Sequence, residues 1–136
     1  MAIRRNTPET ITYFGLHSLA YTVRGHNYSR LSPAAKHVID FHESLHRDGN
    51  GDEADVSWKQ KDLTEQILLQ GSYDNGKALQ EWDYQHLRDT WYTIDGAYHA
   101  SVGSLRGNTL WDRLKLKGAS DRQVETIRGK TFGIED

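Results

Sequence analysis

Apolar positions recur with a helical period through most of the chain, and turn residues punctuate them. After Ser32-Pro33, the residues Ala34, Ala35, Val38, Ile39, Phe41 and Leu45 fall on one side of a helical projection. Lys36, His37, Asp40, Ser44 and Arg47 fall on the other. Serine as N-cap with proline at the first helical position is a helix start, and Asp48-Gly49-Asn50-Gly51-Asp52 is a break, so the pattern predicts a helix over 33–47. A second helix is predicted from Ser57, with Gln60 completing a capping box and Leu63 and Ile67 as its core pair, to a stop at Gly71. Ser72 to Gly76 reads as a turn.

A third helix is predicted from Lys77 to Thr93, with Leu79 and Trp82 facing the core. Asp95-Gly96 marks its end or a kink, and 97–102 are left unassigned. A short helix follows from Thr109 to Lys117, closed by Gly118. Ser120 and Gln123 then open a last helix that reaches Arg128. Residues 8–24 are ambiguous: Thr7-Pro8 favours a helix, whereas the alternation of Leu19, Tyr21 and Val23 suggests a hairpin turning near Gly15. The fold class expected is therefore mainly α, a compact single-domain bundle of five to six short helices with an N-terminal β-hairpin as the alternative for its first segment. Within that domain, 1–30 form an N-terminal segment, 31–102 the central helices and 103–136 a basic helical hairpin.

Composition narrows the classes of function. The 136 residues are 36% hydrophobic and 26% charged, yet include four Trp, seven Tyr and three Phe, too aromatic for a disordered chain. No apolar run approaches a membrane span, and the first residues have no apolar stretch of the signal-peptide kind. A soluble protein is expected, cytoplasmic or, for a phage protein, in the virion, without a membrane partner. The absence of cysteine removes disulfides, thiolate metal sites and cysteine catalysis. The net charge of -2 excludes a globally basic nucleic-acid binder, but charge is uneven. Residues 1–30 hold four Lys and Arg against one acid, 31–80 five against nine, and 103–130 seven against three.

Three constellations could carry chemistry. His42-Glu43-Ser44-Leu45-His46 is an HExxH pattern, which on a helix aligns two imidazoles for one zinc ion beside a carboxylate able to deprotonate bound water. Continued to Asp52 it reads HExxHxxGxxD. Over these eleven residues it resembles the extended metal-binding motif of the metzincin proteases, with Asp in place of the third His. That resemblance implies His42, His46 and Asp52 as metal ligands and Glu43 as catalytic base. It departs from the family in lacking any methionine beyond Met1 to form a methionine turn, and in carrying Asp40 and Arg47 beside the motif. Asp48, Asn50 and Asp52 also match the first ligands of a calcium-binding EF-hand loop, but Glu53 replaces its glycine and Lys59 its bidentate glutamate.

The second constellation is the C-terminal hairpin around Gly118, which resembles a helix-turn-helix. Val124 and Ile127 suit its buried positions, Arg122, Arg128 and Lys130 could reach phosphates, and Gln123 a base edge. Arg113 and Lys117 stand where apolar residues normally lock two such helices together. The third is aromatic. Trp91 and Tyr92 lie roughly 120° and 220° around the helix from Leu79, so one core cannot take both. At least one of Tyr84, Trp91 and Tyr92 is therefore expected to be exposed in the isolated chain and covered by a partner. The leading reading is a non-enzymatic protein–protein interaction or assembly module, of the kind carried by phages and mobile elements. It has a protein partner or a second copy as its ligand and needs no cofactor. The alternatives are a zinc-dependent hydrolase and a nucleic-acid-binding protein.

Overall fold

The computed structural model describes residues 28–47, 53–102 and 108–132, with the side chains of 28–41, 57–96 and 108–131. It is mainly helical. A short 3-10 turn, Tyr28–Arg30, leads into α1 (Pro33–Arg47). α2 (Glu53–Gln70), a minimal antiparallel hairpin of β1 (Ser72–Tyr73) and β2 (Lys77–Ala78), α3 (Glu81–Val102), α4 (Leu110–Leu116) and α5 (Asp121–Phe132) follow. Residues 8–24, where helix and hairpin compete in the sequence, lie outside the described residues. None of the described helices is long and apolar enough to cross a membrane.

α1 begins as its sequence dictates, but three groups share the task of holding its first turn. The Ser32 hydroxyl accepts from the Ala35 amide at 3.4 Å. The Ala34 amide donates to Asp83 Oδ1 at 3.1 Å, and the Ser32 amide to His86 Nδ1 at 2.9 Å, both on α3. Asp83 Oδ2 meanwhile accepts from the Gln80 amide at 2.7 Å, at the start of α3 itself. One buried carboxylate thus satisfies amides at the N-termini of two helices, that of Ala34 in the interior and that of Gln80 nearer the surface.

α2 starts four residues before the expected Ser57 and stops at Gly71 as expected. Ser57 and Gln60 are not its cap: both are buried mid-helix, and the Gln60 amide donates to the Val38 carbonyl on α1 at 2.9 Å. Gly71 (φ 74°) ends the helix, and its amide returns to the Ile67 carbonyl. The turn that follows is a hairpin whose loop residues Asp74, Asn75 and Gly76 all have positive φ, a conformation that Asp, Asn and Gly adopt more readily than other residues.

α3 is the central helix, packed by α1, α2, α4 and α5. Its buried stripe is Leu87, Trp91 and Ile94, within about 60° of one another. Leu79 is partly buried against this core, as expected, whereas Trp82 does not face it. Leu79 precedes the helix, which begins at Glu81, so the two are not in helical phase. Trp82 lies about 140° from Leu87 and is 44% exposed. Nor do Asp95 and Gly96 end the helix. Ile94 and Asp95 are buried, and that anchoring outweighs the roughly 1 kcal/mol penalty of an internal glycine.

The C-terminal pair forms as expected. Thr109 caps α4 in a reciprocal capping box with Asp112. Gly118 (φ 100°) closes it, its amide bonding the Lys115 carbonyl while that of Ala119 bonds Leu114, the two bonds of a Schellman motif. The Ser120 hydroxyl accepts from the Gln123 amide at 3.1 Å, and α5 continues beyond the expected Arg128 to Phe132. Leu110, Leu114, Val124 and Ile127 join the core of Ala34, Val38, Ile67, Leu68 and the α3 stripe.

Candidate binding sites

The seam of α2 is polar where an amphipathic helix would be apolar. Ser57, Gln60, Lys61, Thr64 and Glu65 are all buried. Lys61 Nζ pairs with Asp95 Oδ1 on α3 at 2.7 Å, both side chains 3% exposed. Glu65 Oε2 accepts from the Trp91 indole at 2.8 Å and from Arg113 Nε at 3.2 Å, while its Oε1 accepts from Arg113 Nη2 at 3.3 Å. Lys117 contacts Asp62 and lies 3.5 Å from Glu65 Oε1. Arg113 and Lys117 therefore lock α4 as apolar residues would, but onto the carboxylates of α2 rather than onto α5. Burying such charges is tolerable only because each is paired and hydrogen-bonded.

This network underlies a groove of about 410 Å³ lined by Phe41, Trp58, Lys59, Asp62, Leu63, Gln66 and Arg113. Trp58 is 40% exposed. Lys61 Nζ lies 4.2 Å and Arg113 Cζ 5.0 Å from its ring centroid, close enough for cation–π attraction. Trp58 was not legible as a site residue. Nothing local distinguishes it from a core tryptophan, and its setting depends on cations held by Asp95 and Glu65 from other helices.

A second concavity, of about 330 Å³, lies between α5 and the corner at Gly71. Arg122, Gln123 and Lys130, three of the four residues expected to meet nucleic acid, line it together with Tyr84. Helical phase brings them onto one arc of α5 and puts Arg128 on another side, 5.4 Å over the Trp111 ring. Lys130 Nζ lies 5.0 Å from the Tyr84 ring centroid.

The aromatic trio of α3 divides differently from the expectation. Trp91 is fully buried and bonded to Glu65, so its ring offers no surface to a partner. Tyr92 is half-buried and accepts from the Leu110 amide at 3.3 Å, and Tyr84 is half-buried in the second concavity. Among the described side chains of this helix the exposed aromatic is Trp82, its ring 5.4 Å from that of His86.

For the HExxH pattern, the backbone of residues 42–46 is helical, as expected. The side chains of His42, Glu43 and His46, and all of Asp52, lie outside the described residues. Among the described residues no group of three His, Asp or Glu side chains is arranged to hold a metal. No protein-family model, curated protein or solved structure matches the chain.

Proposed function

We propose that the chain is a non-catalytic protein-binding module that seats a segment of a partner chain in the Trp58 groove. The observation that carries this reading is a half-exposed tryptophan set on a floor of cations that buried carboxylates hold in place. Tryptophan and arginine are the residues that most often anchor interfaces, and a ring fixed before binding loses little conformational freedom on complex formation. Phe41, Trp58 and Leu63 supply the apolar walls. On the rim, Asp62 is engaged by Lys117, which leaves the exposed Lys59 to select for acidic flanks. The partner segment this fits has an aliphatic or aromatic anchor beside Asp or Glu.

The experiment is selection of displayed peptides on the immobilised full chain. Enriched peptides should carry an apolar anchor flanked by acids, and Trp58→Ala, with its helical circular dichroism unchanged, should lose them. Selection that yields no motif, or the same motif on Trp58→Ala, overturns the reading.

A further inference from the structure

The concavity at α5 differs in its charge pattern from the neighbouring α4. Its lining includes two cations, Arg122 and Lys130, and no carboxylate, in a chain whose acids outnumber its Lys and Arg. On α4, by contrast, Arg113, Lys115 and Lys117 are each engaged by an acid. Among the described residues neither Arg122 nor Lys130 pairs with a carboxylate. Lys130 is steadied instead over the Tyr84 ring, and Asp121, the acid nearest in sequence to Arg122, is turned to Lys115. The floor is apolar, with Leu68 and Ile127, and the volume is that of a small ligand rather than a duplex. The first turn of α5 adds amides whose dipoles favour an anion, a contribution secondary to the two side chains.

We infer that this concavity is a binding site for a phosphate ester carried on a flat, apolar body of about one nucleotide in size. Arg122 and Lys130 hold the phosphate, Gln123 contributes a hydrogen-bonding side chain, and Tyr84 with Leu68 packs the body. The site is separate from the Trp58 groove and stands or falls independently of the function proposed for it. Such an ester could be a free nucleotide or one unit of a single strand, and both offer the same chemistry to these side chains.

The test is an amide-resolved NMR titration of the full chain with AMP, adenosine and an eight-nucleotide single strand. AMP should shift the resonances of 68–71 and 120–130, with adenosine about tenfold weaker, since the phosphate contacts are charge-assisted. The Arg122→Ala/Lys130→Ala double variant should lose the difference between the two while melting as the parent does. A strand that binds these residues well above AMP assigns the ester to nucleic acid, and equal binding assigns it to a small molecule. Absence of shifts at millimolar AMP, shifts at other residues, or AMP binding unchanged in the double variant overturns the inference.

Discussion

Trp91 donates its indole N–H to Glu65 across 2.8 Å, and both side chains are wholly excluded from solvent. The bond joins α3 to α2, and Arg113 brings α4 to the same carboxylate. Glu65 is therefore the point at which three helices meet. Its burial is tolerable because donors occupy both of its oxygens. Glu65→Ala leaves the Arg113 guanidinium and the indole N–H without their acceptor. It should cost about 3–5 kcal/mol of stability in urea unfolding, the usual penalty for breaking a buried ion pair from one side. Glu65→Gln keeps an acceptor for Trp91 and should cost less. Equal losses in the two variants would mean that the charge carries the whole effect and that the volume and acceptor glutamine retains contribute nothing.

Asp83 offers a second check on how helices are joined. Its two oxygens take amides from the starts of α1 and α3, and His86 takes a third amide, from Ser32. Asp83→Ala strands the buried Ala34 amide and the part-buried Gln80 amide and should lower stability by about 2–4 kcal/mol, since a fully buried orphaned group costs about 1–3 kcal/mol and a part-buried one less. Asp83→Asn retains one acceptor oxygen and should recover part of the loss. Amide hydrogen exchange at Ala34 and Gln80 should accelerate in the alanine variant before exchange at the Leu87–Ile94 core does.

The hairpin predicts a pH dependence of definite sign. Asp74 Oδ2 accepts from Lys77 Nζ at 3.0 Å. That hydrogen bond, followed by the lysine's charge, holds the Asp74 carboxyl below its ordinary range and raises Lys77. The depressed carboxyl contributes support that is complete above the ordinary aspartate range and is lost as pH falls through the lowered midpoint. The raised amine contributes support that is complete below the ordinary lysine range and is lost as pH rises through the raised midpoint. Because both groups are exposed the contribution to stability is small, and the measurement is the NMR titration of the Asp74 carboxyl. Its midpoint should return to the ordinary value in Lys77→Ala. An unchanged midpoint would assign the shift to the turn backbone.

How much of this was legible in the sequence follows the range of the interactions. Pro33, Gly71, Gly118 and Ser120 act on their own turns, and their elements begin or end where local chemistry puts them. Val124 and Ile127 could be read as buried because helical phase is local too. The same phase joins Arg122, Gln123 and Lys130 into one wall, but nothing in it reveals that Leu68 and Tyr84 stand opposite. Ser57 and Gln60 mislead because a cap sequence is also a set of hydrogen-bonding side chains, and Val38 supplies a partner from another helix. Nothing near Lys61 and Glu65 in the sequence marks them as buried, since their partners Asp95 and Arg113 are 34 and 48 residues away.

The two tryptophans of α3 give the last prediction, which reverses the assignment made from the sequence. Trp91 is at the centre of the core and Trp82 is 44% exposed on the first turn. Truncating a buried tryptophan removes its transfer free energy and leaves a cavity, so Trp91→Ala should cost about 3–5 kcal/mol, and it also removes the Glu65 donor. Trp82→Ala removes a ring already half in water and should change stability by less than about 1 kcal/mol. The same contrast should be visible in solution through variants that silence one fluorophore at a time. Trp82→Phe should reduce the fraction of emission quenched by iodide, and Trp91→Phe should increase it, because the ring lost is one the quencher cannot reach. Opposite changes would mean that α3 is rotated by nearly half a turn from the orientation described, with Trp82 in the core and Trp91 facing outward.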